Sequence, residues 1–164
     1  MNRAPHPAEN DPLRPHSHDP NPEPPSADSS FAFIKPDGTS QQITLADLRA
    51  LPQVTLPNCY IVSTGHGTSG PFTFGGPTLL NLIESLGVVR GEWQTAEVIS
   101  ADGFGTRVGA AELYGLKPGE TILLAIVKDG EEMTRAQGTV RLIVPSERDD
   151  ALRQVKWIGE VRVL

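Results

Sequence analysis

The chain has 164 residues, which suits a single domain, and its 38% hydrophobic content is low for a globular protein. The net charge of −6 argues against nucleic acid as the main partner, because phosphate contacts need a basic face. No apolar run approaches the ~20 residues of a membrane span.

The low hydrophobic content is local. Residues 1–30 hold eight of the fifteen prolines and three of the four histidines. In that stretch Arg3 and Arg14 face Glu9, Asp11, Asp19, Glu23 and Asp28, a balance of 2 − 5 = −3. With almost no large apolar side chains, it cannot offset the entropy of ordering. The expectation is a disordered, proline-rich tail over 1–30 ahead of a domain over 31–164. His6, His16 and His18 are irregularly spaced and imply no fixed metal geometry. There is no apolar secretory core near the start, and a single cysteine cannot make an internal disulfide. Both features lead to the expectation of a cytoplasmic protein.

Phe31-Ala-Phe-Ile-Lys35 predicts a short strand, closed by a turn at Pro36-Asp-Gly38. Gln41–Thr44 is a second strand. Thr44 is the expected N-cap of a helix over Leu45–Ala50, with Asp47 in the capping-box position and Pro52 as the stop. Val54–Thr64 reads as a strand bulged at Pro57. Cys59, Ile61 and Ser63 share one face of it, and Tyr60, Val62 and Thr64 the other. Gly65–Gly76 holds five glycines and Pro71 and is expected to be a long loop. Pro77 is placed at the first turn of a helix with Leu79, Leu80, Leu82, Ile83 and Leu86 on its apolar face, ended by Gly87.

Ala96–Ala101 and Thr106–Gly109 predict a hairpin across Asp102-Gly103. Ala110–Tyr114 is one turn of helix. Thr121–Lys128, the most apolar segment, is expected to be one central strand buried on both sides. Asp129-Gly130 is a turn signal. Thr139–Val144 and Gly159–Leu164 are further strands. This order is not a regular βαβ alternation, so an α+β domain with a mixed sheet and few helices is expected.

The segment from Pro57 to Leu80 carries the only cysteine, Cys59, and the only histidine outside the tail, His66. Bare backbone amides, a thiol and an imidazole at a strand end are parts of a small-molecule or cofactor pocket. Thr68 and Ser69 between glycines add donors for an anion. His66 suits hydrogen bonding to a ligand or proton transfer near neutral pH.

Six pieces occur in succession: Gly75-Gly-Pro-Thr-Leu-Leu80, Ser100-Ala-Asp-Gly-Phe104, Leu124-Ala125, Asp129-Gly-Glu-Glu-Met133, Gly138-Thr-Val-Arg-Leu-Ile-Val-Pro145 and Gln154-Val-Lys-Trp157. Together they resemble the molybdopterin-binding domain of the sulfite oxidase family, over about residues 41 to 164. The resemblance implies a pyranopterin carrying molybdenum, with a cysteine thiolate on the metal. It leaves two positions open for that ligand. Cys59 has the thiol, and Ser63 has the better spacing to the glycine motif, aligning Ser63-Thr64-Gly65 with the family's Cys-Thr-Gly. The two lie four residues apart, ~13 Å along a strand, so one cannot stand in for the other.

The same resemblance implies that Arg141 and Lys156 hold the pterin phosphate, with Ser63, Thr64 and His66 near the cofactor. Arg148, Arg153 and Arg107 are weaker candidates. Two functions follow. One is a molybdopterin-dependent oxidoreductase, with a redox protein as electron partner. The other is a non-catalytic binding or scaffold module that keeps the fold without molybdenum. No residue is singled out as catalytic.

Overall fold

The computed structural model describes residues 29–63, 67–117, 119–145 and 155–164, the side chains of 61–63, 67–69 and 135 excepted. The strands are β1 (Phe31–Ile34), β2 (Ser40–Ile43), β3 (Val54–Ser63), β4 (Gly67–Gly76), β5 (Thr95–Ser100) and β6 (Gly105–Gly109). They continue with β7 (Leu123–Ala125), β8 (Val127–Lys128), β9 (Glu131–Glu132), β10 (Arg141–Ile143) and β11 (Ile158–Val163). The helices are α1 (Leu45–Ala50), α2 (Leu79–Ser85) and α3 (Ala110–Tyr114). This is the expected α+β domain with a mixed sheet.

The main sheet runs β2-β1-β11-β5-β6. Only the β1–β11 pair in it is parallel. Its buried side chains include Phe31, Phe33, Val98, Val108, Val161 and Val163, and α2 packs onto the same core through Leu79, Leu82 and Ile83. Thr44 caps α1 as its sequence implies, accepting from Asp47 N while the Asp47 carboxylate accepts from Thr44 N. α2 begins at Leu79, two residues past Pro77. Thr78 is its N-cap, accepting from Asn81 N, and Pro77 precedes the cap.

Two expectations are corrected. Gly65–Gly76 is not one long loop, because residues 67–76 form β4, antiparallel to β3. Phe72 and Phe74 alternate with small residues along it, and Phe74 is fully buried. The glycines are sites of close approach: a Cβ on Gly76 would strike the carbonyl of Leu124. Nor is Thr121–Lys128 a single central strand. It divides into β7, paired with β10, and β8, which joins a second sheet in the order β3-β4-β8-β9. The change falls at Ile126, whose N–H donates to Gly75 O and whose carbonyl accepts from Met133 N. A continuous apolar run reports burial on both sides and carries no information about straightness.

β3 is bulged where expected. Its register to β4 shifts between Leu56 and Cys59 and again between Cys59 and Ile61. Asn58 takes the left-handed conformation at φ 57°, a region that asparagine tolerates better than most residues.

Candidate functional site

The site is built where the chain approaches β10 and β11. A short 3-10 turn at Arg135–Gln137 is held at both ends: Gln137 N donates to Thr134 Oγ1, and Thr134 N donates to Gln137 Oε1. Gly138 follows at φ 98°, a left-handed conformation that favours glycine. The strand-like segment 155–158 then lies against 138–142. Leu142 N donates to Val155 O, Trp157 N to Gly138 O and Ile158 N to Val140 O.

This pairing sets two cations over one bare glycine. A Cβ on Gly138 would lie 2.7 Å from Lys156 Cβ and 3.7 Å from Arg141 Nη1. Arg141 Nη1 donates to Gln137 O at 3.3 Å, and its buried Nε has no acceptor among the described residues. Burial pushes the guanidinium down from 12.5 to about 10. Lys156 is pushed down as well, first by burial and then by the charge of Arg141, with Asp102 opposing. Its Nζ sits 4.3 Å from the centre of the Trp157 ring. Among the described residues no carboxylate forms an ion pair with either cation. A buried guanidinium N–H without an acceptor among the described residues, near a second cation, is a pairing that suits an anion with several acceptor oxygens.

Trp157 is buried and left-handed at φ 52°, a conformation costly for a bulky residue. It lets the chain present Lys156 toward Gly138 and then enter β11. The Ser100–Phe104 turn closes the other side, with Ala101 N donating to Trp157 O at 2.7 Å. Three of the six sequence pieces, those containing Asp102, Arg141 and Lys156, therefore converge at one end of the main sheet.

Cys59 lies elsewhere. It is 4% exposed, in a smaller apolar cluster with Leu56, Phe74, Leu123, Ala125, Met133 and Ile143. Its thiol donates weakly to Leu56 O at 3.5 Å. Burial pushes the thiol up, and a hydrogen bond from the Phe74 backbone opposes this only in part. A metal ligand must be a thiolate, and thiolates are favoured in electropositive, partly exposed surroundings. The Cys59 thiol is expected to resist iodoacetamide at neutral pH in the folded protein and to react fully once urea unfolds it. Fast labelling of the folded chain, read by mass spectrometry, would contradict this burial.

Ser63 ends β3 with its backbone opposite Gly67, and its side chain lies outside the described set. Thr64 and His66 lie outside the described residues, as do Arg148 and Arg153. Arg107 is committed to Glu97, Nε to Oε2 at 3.0 Å. Among the described residues no group of three or more His, Cys, Asp or Glu side chains is placed to hold a metal. No described helix is long and apolar enough to cross a membrane.

The sequence reading missed two parts of the site. One is Gly138, which makes room for Lys156. The other is Trp157, whose ring supports the ammonium. A glycine three residues before an arginine, and a tryptophan directly after a lysine, were the available signals.

A family model described as the oxidoreductase molybdopterin binding domain matches residues 33–164. Among solved structures, the sulfane dehydrogenase SoxCD from Paracoccus pantotrophus is similar, with a TM-score of 0.63 and 15% identity. The similarity covers 82% of this chain and 37% of that one, so this chain spans well under half of its neighbour. At that identity the likeness concerns the fold. Comparison with curated proteins returns no match.

Proposed function

The chain belongs to the oxidoreductase molybdopterin binding domain family, and on that premise we propose that it holds a molybdopterin by the phosphate end, through Arg141 and Lys156. The observation that carries this reading is the buried Nε of Arg141, without an acceptor among the described residues, close enough to Lys156 that its charge is felt there. A pterin phosphate supplies the missing oxygens. The bare Cα of Gly138 keeps the two cations close enough to share one anion, and Trp157 fixes the lysine from behind.

When bound, the cofactor supplies redox chemistry at its molybdenum. This chain contributes two fixed charges for the phosphate, and burial strengthens them by excluding competing water. The fit is good at the phosphate end. It is poor at Cys59, whose protonated, apolar setting does not suit a metal thiolate. That contrast supports the second reading as well: a non-catalytic binding or scaffold module that keeps the fold without molybdenum. In the oxidoreductase reading, Ser63, Thr64 and His66 stand near the pterin and a redox protein takes the electrons.

The test is cofactor content. Protein purified from cells that load other molybdoenzymes should release a fluorescent oxidised pterin. The Arg141→Ala/Lys156→Ala double variant should lose at least nine-tenths of it. Molybdenum measured on the same samples separates the two readings. Equal pterin in wild type and double variant would sink the phosphate assignment.

A further inference from the structure

The end of the main sheet opposite Lys156 and Trp157 carries a second constellation. β5 and β11 are antiparallel, so the start of β5 lies beside the end of β11, where Gln94 N and Thr95 N both donate to Leu164 O. Trp93, directly before this point, is 4% exposed and belongs to the main core with Leu82, Ile83, Val88 and Leu113. Its ring meets Tyr114 at the end of α3, with centres 6.3 Å apart and a tilt of 53°. Tyr114 is half-buried, and its hydroxyl donates at 3.1 Å to Oε2 of Glu84, an exposed residue of α2. Arg90 places its guanidinium 4.5 Å from the centre of the same phenol ring.

Each contact has a chemical consequence. The buried indole N–H of Trp93 is turned toward the phenol oxygen without meeting hydrogen-bond geometry, and it has no acceptor among the described residues. Burial first, and the bond to Glu84 second, push the Tyr114 phenol up, so it keeps its proton at neutral pH. A carboxylate at hydrogen-bond distance is placed to take that proton. A phenol that has lost an electron is strongly acidic, and the cation of Arg90 over the ring face opposes positive charge held there. Electron loss from Tyr114 is therefore tied to transfer of its proton to Glu84. An oxidised indole takes an electron from a phenol that can shed its proton, because the neutral phenoxyl radical is the more stable product.

We propose that Trp93, Tyr114 and Glu84 form a one-electron relay from the core to the surface, with Tyr114 as the redox-active residue. An outer-sphere one-electron oxidant takes an electron from Trp93 and leaves its indole radical cation. Tyr114 then gives one electron to the indole, and its phenolic O–H breaks as the proton passes to Glu84 Oε2. The products are neutral Trp93, a neutral Tyr114 phenoxyl radical and a protonated Glu84. A one-electron reductant such as ascorbate resets the relay by supplying an electron to the phenoxyl, while Glu84 returns the proton. A hole formed in the core thus leaves through a side chain that solvent reaches. The relay needs neither pterin nor molybdenum, so it stands or falls apart from the anion site.

The experiment uses the full chain with Tyr60→Phe, which leaves Tyr114 as its only tyrosine. A laser flash oxidises the protein through a ruthenium polypyridyl sensitiser with a cobalt(III) ammine as electron acceptor, and transient absorption separates indole from phenoxyl radicals. The indole signal should decay as the phenoxyl signal rises, and heavy water should slow that rise. Glu84→Gln should slow it about tenfold or more, as loss of a positioned proton acceptor does. Trp93→Phe should abolish the delayed rise. A phenoxyl signal at full yield within the flash in Trp93→Phe would mean that the sensitiser oxidises Tyr114 directly, and the relay would be overturned. An unchanged rise in Glu84→Gln would overturn the proton step and the relay with it, as would no phenoxyl signal at all. Trp93 is a core residue, so Tyr114→Phe provides a second variant should Trp93→Phe not fold. Its indole radical should outlive that of the parent, and an unchanged lifetime would overturn the proposal.

Discussion

Replacing Arg141 with methionine should stabilise the ligand-free protein while ending its affinity for anions. The guanidinium is held at about 10 against an ordinary 12.5, and burial is the cause. Each unit corresponds to 1.36 kcal/mol of preference for the uncharged form. Arg141 is only half-buried as a residue, so screening trims the sum to about 2 kcal/mol. A methionine of similar length removes that penalty and keeps much of the aliphatic packing. The bond from Nη1 to Gln137 O is lost, but at 3.3 Å it is long.

The sign follows from proton linkage. The folded state holds this proton less tightly than the unfolded chain does. The penalty is therefore fully present below pH about 10 and is relieved only between about 10 and 12.5. The gain in stability should accordingly be flat across neutral pH. A thermal scan should show a Tm about 6 °C higher for Arg141→Met. A lower Tm would mean that the guanidinium is a structural brace. A stabilising substitution that ends binding marks a residue kept for its ligand.

Gly76→Ala is expected to have the opposite outcome, with a loss above ~4 kcal/mol and no folded protein at 37 °C. The added carbon would press on the carbonyl of Leu124 and lie 3.2 Å from the Ala125 Cα. These are backbone atoms of β7 and cannot rotate away. Moving them would break the bonds from Leu124 N to Pro77 O and from Ile126 N to Gly75 O, which tie α2 and β4 to the centre of the fold. Gly87→Ala is the control. Gly87 also has a positive φ, 86°, but nothing lies within 4 Å of its would-be Cβ. It should lose only the ~1–2 kcal/mol of left-handed strain. Urea unfolding of the two variants separates crowding from conformation, and equal losses would refute the close approach at Gly76.

What could be read from the sequence was local. Thr44 and Asp47 announced a helix start, because a capping box is a three-residue device. Asp102-Gly103 and Asp129-Gly130 announced turns that the structure contains between β5 and β6 and between β8 and β9. β4 was hidden because glycines read as punctuation unless the neighbour they admit is known, and that neighbour, Leu124, is 48 residues from Gly76. The division of 121–128 between two sheets was hidden for the same reason. The cations came from the resemblance, since no periodicity distinguishes Arg141 or Lys156 from other surface charges. That they share one glycine depends on segment 155–158 pairing with 138–142, a contact between distant parts of the chain.

The strand order has a consequence for synthesis. β11 is late in the chain yet sits between β1 and β5. A ribosome adding ~5–20 residues per second needs roughly 2–10 s to travel from the end of β6 to the start of β11. During that interval the β1–β2 and β5–β6 hairpins are both made, and each presents an unpaired edge with Phe31, Phe33 and Val98 uncovered. Those edges are the ones that β11 later fills, and until then any extended nascent segment can fill them instead. A nascent chain stalled before residue 158 should therefore be held by chaperones that recognise extended apolar strands, and release should follow emergence of the last strand.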